Sequence, residues 1–273
     1  MKYKYPTSST GAGSIMVCEP YFRIKVLRTI LNWILFFLFA FMFLFCATHE
    51  ATPIRGVSMQ PTINENYNEL DGRDCYDIAF THHTKLISRG DIIILKFGGY
   101  EKNNNVEANE NTRIIKRAIA ISGDTIQILF DYEKQKLNVW VKPKGQTGNI
   151  TDDRFLLKEN YILKDQSASN LAKPINEQKD DYNSYKCAQT FQSKTQKNGA
   201  LNWTEGYILN KDGSITLKDG YVFVLGDNRA VSFDSSELGP FSWDRIIGVV
   251  DVVEPNGTFI NKLFRWLGVR SSS

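Results

Sequence analysis

Cysteine, histidine and net charge are all scarce in this sequence. Its 273 residues include four Cys and three His, and 33 Lys and Arg stand against 30 Asp and Glu, for a net charge of +3. So small an excess, with cations scattered among carboxylates, excludes a nucleic-acid-binding surface. No CxxC pair and no His/Cys cluster offers the ligand spacing of a zinc site. His82 and His83 adjoin each other in a polar stretch, with no partner spaced for a metal site or a Ser-His-Asp set. The sequence therefore indicates no metal and no cofactor. Internal repeats are also missing. At this length one or two folded units with appendages are expected, or a single fold with an insertion.

Charge is absent altogether from residues 30–47, ILNWILFFLFAFMFLFCA. Eighteen helical residues rise about 27 Å, close to the roughly 30 Å of a bilayer's hydrocarbon. A buried core helix of that length would show a polar face, which this run lacks apart from Asn32 and Cys46. The run is too long and begins too late for a cleaved signal peptide, so residues 29–48 read as an uncleaved signal anchor. Arg23, Lys25 and Arg28 precede it, whereas Arg55 is the first Lys or Arg after it. The positive-inside bias then puts residues 1–28 in the cytoplasm and everything beyond about residue 50 outside. Cys75 and Cys187 would share an oxidising space there. A bridge between them is compatible with that, but no spacing rule requires it, and two unpaired residues fit equally well.

Beyond the anchor, short runs rich in Ile and Val alternate with turn residues: DIIILKF, RIIKRAIAI, DTIQILF, LNVWV, YVFVLGD and IIGVVDVV. These predict strands, and a mostly β domain built from residues 49–130 and 221–273. Residues 131–220 shift toward Lys, Asn, Gln and Asp with few strong strands. They read as an inserted β/loop subdomain with little chemistry. A short terminal helix is expected over Asn261–Leu267, with Leu263, Phe264 and Leu267 as its apolar stripe. The N-terminal TSSTGAGS reads as a disordered tail.

Three polar segments interrupt this pattern. The first, RGVSMQPTI at 55–63, follows the apolar run by a few residues; ordinary loop chemistry would account for it if it stood alone. The second, TRIIKRAIAISGD at 112–124, is a strand by alternation, with Ile114, Lys116, Ala118 and Ala120 on one face. Lys116 is the single charge on that face. Burial there would disfavour its charged form and lower its pKa; becoming a neutral base near neutrality needs a drop of roughly three units, about 4 kcal/mol. Arg117 cannot act this way, because a guanidinium does not deprotonate. The commoner fate of a lone strand lysine is to snorkel to the edge. The third segment, VFVLGDNRAVSFDSSELGPF at 222–241, is a polar loop in which Ser232, Asp234 and Ser235 offer hydrogen bonds to a buried amine, or simply form turns.

Together, in this order behind a spanning helix, the three segments resemble the type I signal peptidases, membrane-anchored serine proteases that remove signal peptides. SMQPT matches that family's nucleophile box, KRAIAISGD its lysine box, and GDNRAVSFDSS its Gly-Asp-Asn…Ser-x-Asp-Ser box. The resemblance covers the anchor and the β-rich core and is not evident in residues 131–220. It implies Ser58 as nucleophile and Lys116 as general base, with no histidine involved. It further implies that Ser232 orients the lysine and that the Ser58 backbone N–H meets the oxyanion. Asp234 and Ser235 would support the loop, and Gly226, Asp227 and Asn228 would form the turn delivering it. The implied partners are preproteins with small residues at the first and third positions before the cut, bound extended as an added strand. A bacterial cytoplasmic membrane is the implied location. The lipid bilayer, against which Met59 and the first strands would rest, and the secretion translocon complete the expected partners.

Two positions depart from the pattern. Gly56 stands where some members carry a hydroxyl residue, and Ser236 stands where the family has arginine after Asp-Ser. Arg229 or Arg245 would have to replace that arginine, or hydrogen bonds alone would hold the loop. Among alternatives, the self-cleaving SOS repressors share Ser-Lys chemistry but need a DNA-binding headpiece and no anchor. A decayed, non-catalytic relative is disfavoured by Ser58, Lys116 and Ser232 occurring together. A specialised processing peptidase with one dedicated substrate is the runner-up.

Overall fold

The structure is a computed structural model and describes residues 19–65, 76–97, 101–102, 105–106, 112–134, 136–162, 179–195, 205–229 and 232–266. The tail TSSTGAGS, Cys18, Cys75 and Leu267 lie outside them. Residues 1–48 and 49–273 form two compact units. In the first, helix α1 (Glu19–Thr48) contains a 22-residue stretch, Ile24–Phe45, with mean hydropathy 2.0. No part of its most apolar window is buried within the protein, and it is long and apolar enough to cross a membrane.

The second unit is mostly β, as expected. Its strands are β1 (His49–Ile54), β2 (Asp77–His82), β3 (Ile92–Lys96), β4 (Glu101–Lys102), β5 (Asn105–Val106), β6 (Arg113–Ala120), β7 (Thr125–Asp131) and β8 (Lys136–Lys142). After helix α2 (Lys179–Thr195) come β9 (Tyr207–Leu209), β10 (Ile215–Leu217) and β11 (Tyr221–Leu225). The chain closes with α3 (Ser235–Leu238), β12 (Phe241–Ser242), β13 (Ile246–Glu254) and α4 (Phe259–Trp266). A seven-stranded antiparallel sheet runs β1-β2-β13-β3-β6-β11-β12, and a four-stranded sheet runs β8-β7-β10-β9. The remaining pair is β4-β5.

Alternation along β6 decides what each of its residues packs against. Ile114 and Ala118 join Ile93, Leu95, Val222, Val224 and Phe241, whereas Ile115 packs with Ile54, Met59, Ile63 and Ile94. Ala120 breaks the expected pattern and packs with Ile119 in the cluster between the two sheets. The cause is a bulge: Ala118 and Ala120 pair with consecutive Val224 and Phe223, so Ile119 is an extra residue. That same cluster takes Val139, Val141, Ala188, Phe191, Ile215 and Leu217 from the 131–220 region. Fully burying each of these Val, Phe, Ile and Leu side chains contributes about 1.5–3 kcal/mol, so the region shares a core with β6 and β11.

Helix α2 was not expected, because KDDYNSYKCAQTFQSKT is polar overall. Its buried residues, Cys187, Ala188, Phe191 and Thr195, nevertheless recur at helical spacing. Helix α4 matches the terminal helix expected over Asn261–Leu267, displaced by two residues at its start. It docks through Phe264, whose ring lies 4.9 Å from that of Phe80, and through buried Asn261, which donates to the carbonyls of Tyr76 and Glu254.

Candidate active site

The chain leaves β1 at Ile54 and turns through Gly56, whose φ of +93° is a left-handed conformation that favours glycine. Ser58 sits in the turn that follows, while its neighbour Met59 plunges into the core at 1% exposure. Met59 is thus unavailable to rest on lipid, contrary to expectation: the thioether fills the space among Ile54, Ile63, Ile94 and Ile115. The turn is pinned by a residue the sequence reading missed. Buried Asn64, at φ +60°, donates from Nδ2 to the carbonyls of Ile54 (2.7 Å) and Gly56 (3.1 Å). Its Oδ1 accepts from the Asp77 N–H, and its own N–H donates to Asp77 Oδ2. The tolerance of Asn for left-handed backbone was the available signal.

Lys116 projects from the middle of β6, opposite Ile93, and is only 4% exposed. Its Nζ lies 2.7 Å from Ser58 Oγ and donates to the Ile115 carbonyl at 3.0 Å. Desolvation lowers its pKa from 10.5 to about 8, and the charges of Asp234 and Asp227 hold it from falling further. The 2.7 Å contact suits both protonation states. A charged Lys116 donates to the hydroxyl; a neutral one accepts its proton.

The third segment closes around this pair. The Asn228 N–H donates to the Ser58 carbonyl (3.0 Å) and its Nδ2 to the Val57 carbonyl (3.2 Å). Gly226 has no room for a side chain: a Cβ there would lie 2.3 Å from Ser232 Oγ and 2.5 Å from the Ser58 carbonyl oxygen. Asp227 does more than shape a turn. Fully buried, it accepts from Arg117 Nε (2.8 Å) and Nη2 (2.6 Å) and from Thr62 Oγ1 (2.6 Å). Arg117 therefore serves as a strut between the lysine strand and the Gly-Asp-Asn turn.

The missing arginine has an answer in hydrogen bonds. Asp234 accepts from the Gly226 N–H (2.9 Å), and its other oxygen accepts from the Ser236 N–H (3.0 Å) and Ser236 Oγ (2.9 Å). Ser235 Oγ accepts from the Val224 N–H at 2.9 Å. Arg245 is occupied with the Phe97 carbonyl. Arg229 donates to the Gly226 carbonyl and forms a bidentate pair with Glu159, both side chains being under 10% exposed. Ser232 is brought beside Gly226, but its buried hydroxyl has no hydrogen-bond partner among the described residues and does not meet Lys116. Cys187 is buried and forms no disulfide among the described residues, and burial pushes its thiol up to about 12.

Glu159 and Tyr161, from the region where little chemistry was expected, thus brace the site. The Tyr161 ring lies under the Arg117 guanidinium at 4.0 Å. Glu159→Gln should lower the thermal transition by the equivalent of about 3–5 kcal/mol, because Arg229 would be left buried without its counter-charge. Calorimetry showing a loss below about 1 kcal/mol would mean the pair is solvated.

A comparison with known families agrees with this geometry: the family described as "Signal peptidase, peptidase S26" matches residues 23–254. The chain belongs to that family. The matched range extends from within α1 to the end of β13 and so spans all three segments. Signal peptidase IB of Staphylococcus aureus strain COL is 30% identical over 228 residues, covering 82% of this chain and 88% of that protein. Signal peptidase I V of Bacillus subtilis strain 168 is 25% identical over 203 residues, covering 74% and 83%. A solved signal peptidase I from Enterococcus faecalis V583 is 23% identical, covers 60% of this chain and 97% of its own, and gives a TM-score of 0.30. Family membership makes this chain a serine endopeptidase.

Proposed function

We propose that this peptidase cleaves signal peptides from exported preproteins, with Ser58 as nucleophile and Lys116 as general base. The observation that carries the reading is the 2.7 Å contact between Ser58 Oγ and a lysine that burial brings down to about 8. Neutral Lys116 takes the Ser58 hydroxyl proton as Oγ bonds to the scissile carbonyl carbon. The tetrahedral oxyanion is met by the Ser58 N–H. As the C–N bond breaks, Lys116 returns the proton to the departing amine, leaving an acyl-enzyme that water hydrolyses by the same base. Asp227, Asn228, Asp234 and Ser235 hold the loop that shapes this pair, and Ser232 is assigned to orient the lysine once substrate excludes water.

The family and the apolar helix support membrane anchoring; our reading places the N-terminus in the cytoplasm and the peptidase unit outside a bacterial cytoplasmic membrane. Arg23, Lys25 and Arg28 support that orientation. External protease reaching residues beyond 50 while sparing the tail is the corresponding check. The bilayer and the secretion translocon are the neighbours such an enzyme would meet. Residues 49–130 and 221–273 carry the chemistry in this reading, with 131–220 as bracing.

The test is to incubate the detergent-solubilised protein with a mixture of preproteins and map every cut. Many substrates cleaved after small residues is the expected result. A single substrate cut would replace this reading with a dedicated processing peptidase, and no cleavage at all would overturn both.

A further inference from the structure

Three side chains meet at one end of the seven-stranded sheet. His49 begins β1, His82 ends β2, and the two are direct cross-strand partners. Direct partners across an antiparallel pair present their side chains on the same face. Asp251 comes from β13, where the register shifts between Val250 and Val252. It is therefore the extra residue of a bulge, the device by which a strand re-aims a side chain. His49 Nε2 lies 2.9 Å from Asp251 Oδ2, and His82 Nδ1 lies 2.5 Å from the same oxygen. All three candidate ligand atoms fall within 4.8 Å of one another.

We propose that His49, His82 and Asp251 form a divalent transition-metal site, with Zn2+ as the fitting ion. Two imidazole nitrogens and a carboxylate oxygen are a zinc donor set, with ideal bonds near 2.0–2.2 Å and a fourth position left for water. Calcium and magnesium call for all-oxygen shells, and among the described residues no thiolate joins the cluster to select a softer ion. Side-chain exposures of 16% for His49, 40% for His82 and 36% for Asp251 leave the cluster open for an ion to enter. Its consequence is mechanical. Among the described residues β1 is an edge strand paired only with β2, and it leads directly into the Ser58 turn. An ion on His49 staples the first residue of that strand to β2 and β13, steadying the entry to the turn while taking no part in the peptidase chemistry. His83 stands outside the cluster, facing Glu50 and the Ile247 carbonyl.

The full-length protein in detergent, stripped with EDTA, is titrated with Zn2+ against a chromophoric chelator and separately with Co2+. One equivalent should bind, the thermal transition should rise with free Zn2+, and Co2+ should give the visible d–d bands of a nitrogen/oxygen site. Asp251→Asn and His82→Gln retain hydrogen-bonding capacity, and thus the metal-free fold, yet should weaken Zn2+ by at least the roughly 10–100-fold that losing even an outer partner costs a metal site. His83→Ala should bind as the native protein does. Absence of stoichiometric binding, or an affinity unchanged in Asp251→Asn and His82→Gln, would overturn the proposal.

Discussion

Ser58→Ala should remove preprotein cleavage, lowering kcat/KM by on the order of a million-fold, the scale on which losing a serine nucleophile acts. The residue is half-buried in a turn held by Asn64 and Asn228 through backbone groups, so these supports survive the change. Lys116 loses one hydrogen bond and keeps the Ile115 carbonyl. The stability cost should be about 1 kcal/mol, read as a small shift in the thermal transition. His83→Ala, by contrast, should stay within a few-fold of native activity. An active Ser58→Ala enzyme, or a His83→Ala enzyme as crippled as the serine variant, would remove the dyad from consideration.

The second large effect is Lys116→Arg. Length and positive charge are approximately kept, but the guanidinium cannot release a proton near neutrality, so a folded and inactive protein is expected. Overpacking by the larger head costs about 1–3 kcal/mol, which is why folding has to be read separately from activity. Lys116→Met separates the two. Lowering the lysine from 10.5 to about 8 corresponds to about 3 kcal/mol against its charged form, a penalty methionine escapes. The methionine variant should therefore be inactive yet at least as stable as the native protein at pH 7. Between about 8 and 10.5 the unfolded state binds more protons at this residue than the folded one, so native stability rises with pH there and the methionine advantage should shrink. A methionine variant markedly less stable than native at pH 7 would show that Lys116 is a structural residue.

The parts of this enzyme visible in its sequence are those where chemistry restricts the choice of residue. A charge-free run of eighteen residues has few soluble explanations, and Ser58, Lys116 and the GDN turn stand out because each breaks the pattern around it. Strands β3, β6, β7, β11 and β13 were legible for the same physical reason, since Ile and Val runs bounded by turns fit a buried sheet. β1 was not: HEATPI carries Pro53 and little β-branching, tolerable because it is an edge strand. DIAFTH is buried almost throughout as β2, but with one Ile and no Val it lacks the apolar run that marks the other strands.

What stayed hidden is tertiary. Arg229 meets Glu159 across 70 residues, Asp227 meets Thr62 across 165, and Asp251 meets His82 across 169, and no local periodicity encodes any of these. Ser236 illustrates the point from the other side. Its place in the motif was plain, and only packing around Asp234 showed that a hydroxyl and a backbone N–H stand where the family has arginine. The orientation of Met59 likewise depended on a core to which distant strands contribute, from Ile94 and Ile115 to Ile247, Val250 and Val253 of β13.

The central claim is that a neutral Lys116 activates Ser58, and the pH dependence of kcat/KM tests it most directly. That quantity reports the free enzyme, in which the lysine is brought down to about 8, so at pH 7 roughly a tenth of the molecules hold a competent base. The rate constant should rise with pH along a single limb, reach half its plateau near pH 8, and level off beyond it. A profile flat across that range, or one still climbing at the roughly 10.4 of an ordinary lysine, would contradict the assignment of Lys116 as the base.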